Sequence, residues 1–265
     1  MSDTYEIYAI HYGHHARKAQ ENFLGGDPHD DSDMPLDYFV WAIVGEKRTF
    51  VLDTGFGPDM AEKRGRQIVR PVAEGLKAIG IDPATVGDVI VSHMHYDHAG
   101  NIPLFPDARF HIQDAEMEFV TGRSMCHRAI SGIFEADHVC DMVRKLFDGR
   151  VRFHDGVSEL APGITLHKVG GHTKGLQVVR VKTRRGDVVL ASDAAHLYAN
   201  IERRHPFPIV IDVDDYLAAF DTIEGLASSK AHIVPGHDPL VLARYPLAKP
   251  GLAGIVRLDA EPKGA

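Results

Sequence analysis

Short apolar runs alternate with polar turns in the N-terminal part of the chain. Residues 5–13 have the composition of a β-strand, and the runs at 37–45 and 48–55 predict a hairpin that turns at Glu46 and Lys47. This part of the chain is therefore predicted to be mostly β-sheet.

Helical and strand-like patterns alternate through the rest of the chain. Val72, Leu76 and Ile79 are spaced as on one face of a helix, and the runs at 126–148 and 212–229 also have a helical pattern. Strand composition recurs between turn residues at 86–91, 108–113, 151–156, 157–160, 163–169, 176–183, 187–193 and 231–235. With no internal repeat and no linker, this order predicts an α/β fold in which helices flank two packed sheets, in one domain that spans residues 1–265.

A long polar segment at 14–36 lies between the first two predicted strands. Loops of this length within a compact domain are commonly functional. The segment is predicted to be a lid over a binding site or a dimer contact.

Composition narrows the classes of protein to which the chain can belong. The 265 residues are 44% hydrophobic and 25% charged, which is typical of globular proteins. The formal net charge of −8 disfavours nucleic acid as a partner, because such binding needs many phosphate-neutralising side chains. No apolar run approaches the roughly 18 residues of a membrane helix, and the first residues lack a signal-peptide pattern. These features predict a cytoplasmic location, in which Cys126 and Cys140 are reduced thiols packed as small apolar groups.

Metal-binding side chains are concentrated in "SHMHYDHAG" at 92–100, directly after a strand-like run. His93 and His95 are two residues apart, so an extended backbone points both imidazoles to one side. Asp97 and His98 follow at a turn that can direct them elsewhere. Imidazole and carboxylate ligands suit zinc, iron, manganese or cobalt better than calcium. Four ligands from one loop cannot complete two metal sites, so other segments must contribute.

Three further candidate ligands lie where predicted strands meet glycine-rich or small-residue turns. They are His172 in "VGGHTKG", Asp193 in "VVLASDAAH" and His237 in "AHIVPGHD". Side chains at strand ends are held rigidly, which suits catalytic groups. A single histidine in a turn is more often structural, but this combination of segments is not expected by chance.

The order of these motifs resembles the metallo-β-lactamase superfamily. The resemblance covers nearly the whole chain, including "VLDTGFG" at 51–57. It implies an αβ/βα sandwich with two divalent metal ions, zinc being the first expectation, at one edge of the sheets. It also implies a first metal held by His93, His95 and His172, a second held by Asp97, His98 and His237, and Asp193 as the bridging ligand. Asp53 would orient a ligand histidine, although an aspartate that only closes a turn is an equal alternative on sequence alone.

Within the superfamily, the flanking sequence is similar to N-acyl-homoserine lactonases, the quorum-quenching enzymes. This similarity implies a hydrolase that opens a neutral lactone, with Asp97 and Asp193 at the reaction centre and possible assembly as a homodimer. Those lactonases have a tyrosine three residues after the bridging aspartate, whereas this chain has His196 there and Tyr198 two residues later. In those enzymes the tyrosine hydroxyl helps to bind the substrate carbonyl, so the resemblance makes His196 and Tyr198 catalytic candidates. Either residue, or neither, replaces that hydroxyl, and a structural imidazole is an equal alternative for His196.

Three other functions stay open on the sequence. A thioester hydrolase resembling glyoxalase II would use the same metal site, but it needs a basic C-terminal helical region that this chain lacks. A phosphodiesterase is disfavoured by the acidic charge balance. A noncatalytic metal-binding domain is the alternative from a different class, and only turnover separates it from an enzyme.

Overall fold

The computed structural model describes residues 4–263, and in that range the strands form two sheets. The strands are β1 (Glu6–His15), β2 (Leu36–Val44), β3 (Thr49–Leu52), β4 (Gln67–Ile68), β5 (Asp88–Ile90), β6 (Arg109–Gln113), β7 (Val151–His154), β8 (Val157–Ala161), β9 (Ile164–Lys168), β10 (Gln177–Thr183), β11 (Gly186–Ser192), β12 (Ile233–Pro235) and β13 (Ile255–Arg257). The predicted hairpin is confirmed, since β2 and β3 pair antiparallel with Trp41 opposite Leu52.

Both sheets contain parallel strand pairs that end at a common edge. The first sheet has the order β13-β1-β2-β3-β5-β6-β7, with β4 beside β1, and β3, β5 and β6 run parallel. The second sheet has the order β12-β11-β10-β9-β8, and β11 runs parallel to β12. Parallel neighbours bring their carboxyl ends together, so the loops after β3 and β5, and those after β11 and β12, become adjacent.

Alternation along the strands divides the apolar side chains between three layers. Trp41 and Leu52 of the first sheet face Val179 and Leu190 of the second, and all four are fully buried between the sheets. Val40 points to the opposite face, as period-two alternation requires. The inner layer is therefore a buried apolar interface that packs the two sheets against each other.

Helices cover the outer faces of the two sheets. They are α1 (Pro58–Arg64), α2 (Val72–Ala78), α3 (Asp114–Thr121), α4 (Arg128–Ser131), α5 (Ala136–Phe147), α6 (Tyr198–Glu202), α7 (Val213–Leu226) and α8 (Leu240–Arg244). Leu76 and Met142 pack on the first sheet, whereas Tyr216, Phe220 and Ile223 pack on the second. The prediction of an αβ/βα sandwich is confirmed. No helix within residues 4–263 is both long and apolar enough to cross a membrane.

The helical pattern predicted over 126–148 is confirmed, but it is divided between two helices. The chain forms the short helix α4, breaks between Gly132 and Glu135, and continues as α5. The break places Phe134 in the interior, where its ring lies 4.5 Å from the ring of His95. The break between the two helices therefore coincides with the burial of one aromatic side chain against the loop after β5.

The packing predicted for the two cysteines is wrong. Cys126 and Cys140 are free thiols, but both are exposed. Cys126 ends a short 3-10 turn in which no side chain is buried, and Met142 is the buried residue of the helix that holds Cys140.

The segment 14–36 packs closely against the body of the protein. Asn22 is fully buried, and its side chain donates to the Met34 carbonyl at 2.8 Å. Phe23 is buried against His205, with 5.3 Å between ring centres. The segment thereby places Arg17 in the wall of the pocket described below.

Candidate metal centre

The loop after β5 carries four candidate ligands, and neighbouring segments fix its backbone. Asp53 has a left-handed backbone with φ of 63°, and its carboxylate accepts from the Ser92 backbone N–H at 2.7 Å. The other carboxylate oxygen of Asp53 lies 2.8 Å from His98 Nδ1. Because the loops after β3 and β5 share one edge of the sheet, Asp53 orients His98, as the resemblance implied.

The first cluster of ligand atoms is formed by His93, His95 and His172. The Nε2 atoms of His93 and His172 lie 2.9 and 3.0 Å from Nδ1 of His95. Ligand atoms held by a zinc-sized ion at about 2.0–2.2 Å lie about 3–3.5 Å apart, so these nitrogens have the spacing of one coordination sphere. All three histidines are buried.

The second cluster is formed by Asp97, His98 and His237. Asp97 Oδ2 lies 3.6 Å from His98 Nε2 and 3.8 Å from His237 Nε2. All three residues are buried. One carboxylate oxygen and two imidazole nitrogens therefore face a common point beside the first cluster.

Asp193 lies between the two clusters, and each of its carboxylate oxygens faces one of them. Oδ2 lies 3.0 Å from His172 Nε2, while Oδ1 lies 2.9 Å from His237 Nε2 and 3.3 Å from His98 Nε2. Ser192, at the end of β11, has a left-handed φ of 44°, which turns the chain sharply at this position. A carboxylate in this arrangement can bridge two ions.

The nitrogens that face away from the clusters are already engaged in hydrogen bonds. His172 Nδ1 lies 2.7 Å from the Ile209 carbonyl, and His237 Nδ1 lies 3.0 Å from the Asp37 carbonyl. Such bonds fix the tautomer and leave Nε2 as a lone-pair donor toward the centre. His98 Nε2 is buried and makes no well-aligned hydrogen bond within residues 4–263. Because buried polar atoms are normally satisfied, this nitrogen and the purely nitrogen and oxygen donor set fit a pair of divalent ions.

Burial and charge shift the pKa values of histidines in the two clusters in opposite directions. Burial lowers the pKa of His93 and His95 well below the ordinary range, and neighbouring histidines add to the effect. Burial would also lower the pKa of His98, but Asp193, Asp97 and Asp53 outweigh it and raise that pKa well above 6.5. Burial opposes ionisation of Asp193, yet the surrounding histidines hold its pKa well below 3.8. The aspartate is therefore a carboxylate, as a metal ligand must be.

His196 lies in this centre. Its Nε2 is 3.0 Å from Asp193 Oδ2, and its ring stacks on Phe207 with 3.7 Å between ring centres. Burial lowers the pKa of His196 to about 3 against the opposing field of Asp193. His196 also lines the pocket that opens beside the ligands.

Tyr198 lies elsewhere, which does not fit its predicted catalytic role. Its ring packs in the layer between the sheets with Val241 and Tyr245, and the Arg244 guanidinium lies 3.8 Å from its ring centre. Residue 198 begins helix α6, which turns the side chain away from the ligands. The proposed replacement of the lactonase tyrosine by Tyr198 is therefore wrong in geometry.

Two other tyrosines supply the hydroxyl groups of the pocket. Tyr38 OH and Tyr96 OH lie 3.2 Å apart, and Arg66 Nε donates to Tyr96 OH at 3.1 Å. The ring of Tyr38 lies 5.2 Å from the ring of His237 in an edge-on contact. Burial raises the pKa of Tyr96 to about 12 and that of Tyr38 well above 10, so both remain protonated. The strand-like pattern of residues 37–45 leaves open whether Tyr38 lies in the core or in a pocket wall, and no motif predicts that its hydroxyl lies beside the candidate ligands.

The buried carboxylate of Glu116 is a second feature that the sequence did not reveal. It accepts from the Met94 N–H at 2.9 Å, from Thr173 Oγ1 at 2.7 Å and from the Gly175 N–H at 3.0 Å. A side chain at residue 175 would collide with the Glu116 backbone, so glycine is required at this approach. Glu116 therefore ties the loop of His93 and His95 to the loop of His172.

Comparison with known sequences identifies relatives over most of the chain. The family model described as "Metallo-beta-lactamase superfamily" matches residues 34–237. An N-acyl homoserine lactonase from Bacillus sp. is 26% identical over 227 residues, which cover 78% of this chain and 80% of the relative. An N-acyl homoserine lactonase from Bacillus cereus is 28% identical over 226 residues, with the same coverage.

Comparison with solved structures supports the fold. A quorum-quenching N-acyl homoserine lactone lactonase superimposes with a TM-score of 0.74, covering 90% of this chain and 95% of that chain. Its sequence identity is 22%, so the likeness concerns the arrangement of sheets and helices.

Proposed function

Because the chain belongs to the metallo-β-lactamase superfamily and is a metal-dependent hydrolase, we propose that it opens lactone rings, with N-acyl-homoserine lactones as the first substrates to test. The observation that carries the proposal is the pair of adjacent ligand clusters that share Asp193. The names of the curated relatives support the choice of lactones among the possible acyl substrates.

The proposed ligand sets follow from the two clusters. His93, His95 and His172 would hold one ion, and Asp97, His98 and His237 the other, with Asp193 shared. We propose zinc, because buried imidazole and carboxylate ligands at this spacing suit it, and iron, manganese and cobalt suit the same donors. When bound, two such ions supply an activated water and polarise the acyl carbonyl.

The residues around the ligands would then position the substrate. Arg66 donates to Tyr96 OH, so Tyr96 can donate its proton to Tyr38 OH. That leaves the Tyr38 proton free to point into the pocket. We assign Tyr38 as the donor to the substrate carbonyl oxygen, the role that the resemblance implies for a tyrosine at the position of His196.

The overall reaction is an acyl transfer to water. The water oxygen forms a bond to the acyl carbon, the bond between that carbon and the ring oxygen breaks, and the ring oxygen takes a proton. The product is a hydroxy acid. Asp97 and Asp193 lie beside the pocket in which the bond would break.

The test is to quantify bound metal and to follow proton release with lactones, a thioester and a phosphodiester. Asp193→Asn removes one charged oxygen between the clusters and is expected to lower kcat/KM by at least about a thousandfold, as is typical when an essential charged group is lost. Asp187→Asn is the matched control, because Asp187 lies on β11, the strand that Asp193 directly follows, but pairs with Arg180 outside the pocket.

The outcomes separate the parts of the proposal. Turnover of lactones by metal-loaded protein, lost in Asp193→Asn and kept in Asp187→Asn, supports the whole. Turnover of the thioester alone would show that the substrates are thioesters and not lactones. Fewer than about one metal per chain in protein prepared with excess zinc would contradict the metal centre.

A further inference from the structure

We propose that the substrate carries an oxyanion, a carboxylate or a phosphate, which Arg17 and Arg66 bind inside the catalytic pocket. This inference rests on the proposed lactone-opening function, because it assigns the chemistry of that lactone's side arm. It departs from the neutral lactone that the resemblance implied.

Three arginines line the pocket that contains the ligands. Arg17, Arg64 and Arg66 share its wall with Asp97 and Asp193. Arg17 comes from the 14–36 segment, whereas Arg64 and Arg66 flank the end of helix α1. Separate parts of the chain therefore deliver positive charge to one cavity.

Only one of these arginines has a carboxylate partner among residues 4–263. Arg64 pairs with Glu135 at 2.5 Å, with both side chains largely buried. Neither Arg17 nor Arg66 takes part in an ion pair within that range. A partly buried guanidinium without an ion-pair partner loses hydration that hydrogen bonds to neutral groups restore only in part, and a bound oxyanion would supply the rest.

The field of the two guanidiniums acts on the neighbouring His15. Burial, followed by the charges of Arg66 and Arg17, lowers the pKa of His15 to about 4. The neutral imidazole can accept from Arg66 Nη1, which lies 3.0 Å from its Nε2. His15 thus orients Arg66 without neutralising it.

Hydrogen bonds hold each guanidinium at one side and leave donors at the other. Arg17 Nε donates to Asn22 Oδ1 at 2.9 Å, and its Nη2 donates to the Glu21 carbonyl. Arg66 uses Nε for Tyr96 and Nη1 for His15 and the Arg64 carbonyl. Arg17 Nη1 and Arg66 Nη2 form no hydrogen bond within residues 4–263. Fixed guanidiniums with free donors are suited to carboxylate and phosphate oxygens.

The nearby acidic residues act on these arginines without forming an ion pair with them in residues 4–263. The charge of Glu21 reaches Arg17, but the Glu21 carboxylate accepts from the Lys18 N–H at 2.8 Å. Asp97 and Asp193 face the imidazoles of the two clusters at 2.9–3.8 Å, and in the proposed function they are metal ligands. The remaining wall is apolar at Leu36, Ile133 and Phe207. A substrate would therefore place its reacting carbonyl at the ligands, its carbon skeleton on the apolar wall and its anion at the arginines.

The test compares γ-lactones that differ only in the side arm. One carries a carboxylate, one a phosphate monoester and one a carboxamide, which is neutral and close in shape to the carboxylate. The metal-loaded protein is expected to prefer an anionic arm over the carboxamide by at least about a hundredfold in kcat/KM, the scale of two charge-assisted hydrogen bonds. The difference in kcat/KM between the carboxylate and phosphate arms shows which of the two oxyanions the site prefers.

Variants connect the preference to the two arginines. Arg17→Gln and Arg66→Gln are each expected to reduce the preference about tenfold, mainly through a higher KM for the anionic lactone, and Arg→Lys variants should retain part of it. Arg203→Gln is the control, because Arg203 stacks on Phe23 of the same 14–36 segment and does not line the pocket. Calorimetric binding of the ring-opened carboxylate and carboxamide products gives a readout independent of turnover.

The results distinguish this inference from the proposed function. Equal kcat/KM for the three arms, or a preference unchanged in both Gln variants, overturns the anion site while leaving lactone opening intact. No turnover of any lactone, together with tighter binding of the anionic products that the Gln variants abolish, overturns lactone opening and supports the anion site.

Discussion

Individual side chains determine the surroundings of the candidate metal centre. Asp53 and Ser192 adopt left-handed backbone conformations beside the ligands, and such strain is tolerated only where the surrounding structure enforces it. His196, rather than Tyr198, lies beside the bridging carboxylate, because helix α6 begins at residue 198 and turns that side chain into the core. A spacing of two residues thus separated a pocket residue from a core residue.

Substitution of His196 tests whether this imidazole acts on the substrate. His196→Ala is expected to keep the metal content and to lower kcat about 10- to 100-fold, because the ring lines the pocket and belongs to neither of the two proposed ligand sets. Its position beside Asp193 and His237 makes these three residues a third group of candidate ligands, so the metal content must be measured. His196→Tyr introduces the tyrosine that the resemblance implies at this position and should recover part of the activity. Metal analysis beside steady-state kinetics checks both variants, and loss of one metal equivalent in His196→Ala would instead make His196 a ligand.

Loops and helices position the ligands at the scale of secondary-structure elements. The parallel pairs β3–β5 and β11–β12 bring the predicted ligands to one edge, which the strand pattern could suggest. The first turn of α3 adds Glu116, whose contacts reach two ligand loops that are distant in sequence. No local pattern marks this glutamate, since its partners are chosen only when the loops meet.

Loss of the Glu116 carboxylate should weaken the connection between the two loops that would hold the first metal. Glu116→Gln is expected to weaken metal binding about 10- to 100-fold, the usual effect of removing a group that orients metal ligands. Competition with a chelating dye measures the change. Glu118→Gln on the same helix is the control, because Glu118 is exposed, and a similar loss in both variants would contradict a specific role.

Asp88, at the start of β5, should make the stability of the first sheet pH-dependent. Burial opposes its ionisation, but hydrogen bonds from His111, Arg48 and Arg109 hold its pKa well below 3.8. A lowered pKa stabilises the fold above the unfolded-state value of about 3.9, and the contribution is lost as pH falls below that value. Asp88→Asn is therefore expected to cost about 2–3 kcal/mol at pH 7 and progressively less below about pH 4. Urea unfolding at several pH values measures this, and a difference that does not vary with pH would contradict the assignment.

At the scale of the whole molecule, the proposed ions would join the two sheets. His93, His95, Asp97 and His98 follow a strand of the first sheet, while Asp193 and His237 follow strands of the second. Coordination across the edge would therefore stabilise the packing of the entire sandwich. Whether residues 1–265 form one domain, and whether the 14–36 segment closes as a lid or contacts a second copy, stay predictions.

Removal of the metal ions should lower thermal stability together with activity. A chelator is expected to abolish turnover and to lower Tm by about 5–10 °C, because ligand-linked stabilisation of a few kcal/mol is lost. Differential scanning calorimetry measures Tm, and readdition of zinc, manganese, cobalt or iron(II) identifies which ion restores both properties. An unchanged Tm after complete metal removal would contradict a role in joining the sheets.

The sequence by itself determined the fold class and the candidate ligands, because strand periodicity and the spacing of His93, His95, Asp97 and His98 are local properties of the chain. Only the tertiary structure decided which hydroxyls and charges surround those ligands. Tyr38, Tyr96, Arg17 and Arg66 come from separate elements, and their side-chain directions depend on packing that no short segment specifies. The candidate metal ligands could therefore be predicted from the sequence. The charge and shape of the pocket could not, because they depend on contacts between residues that are distant in the chain.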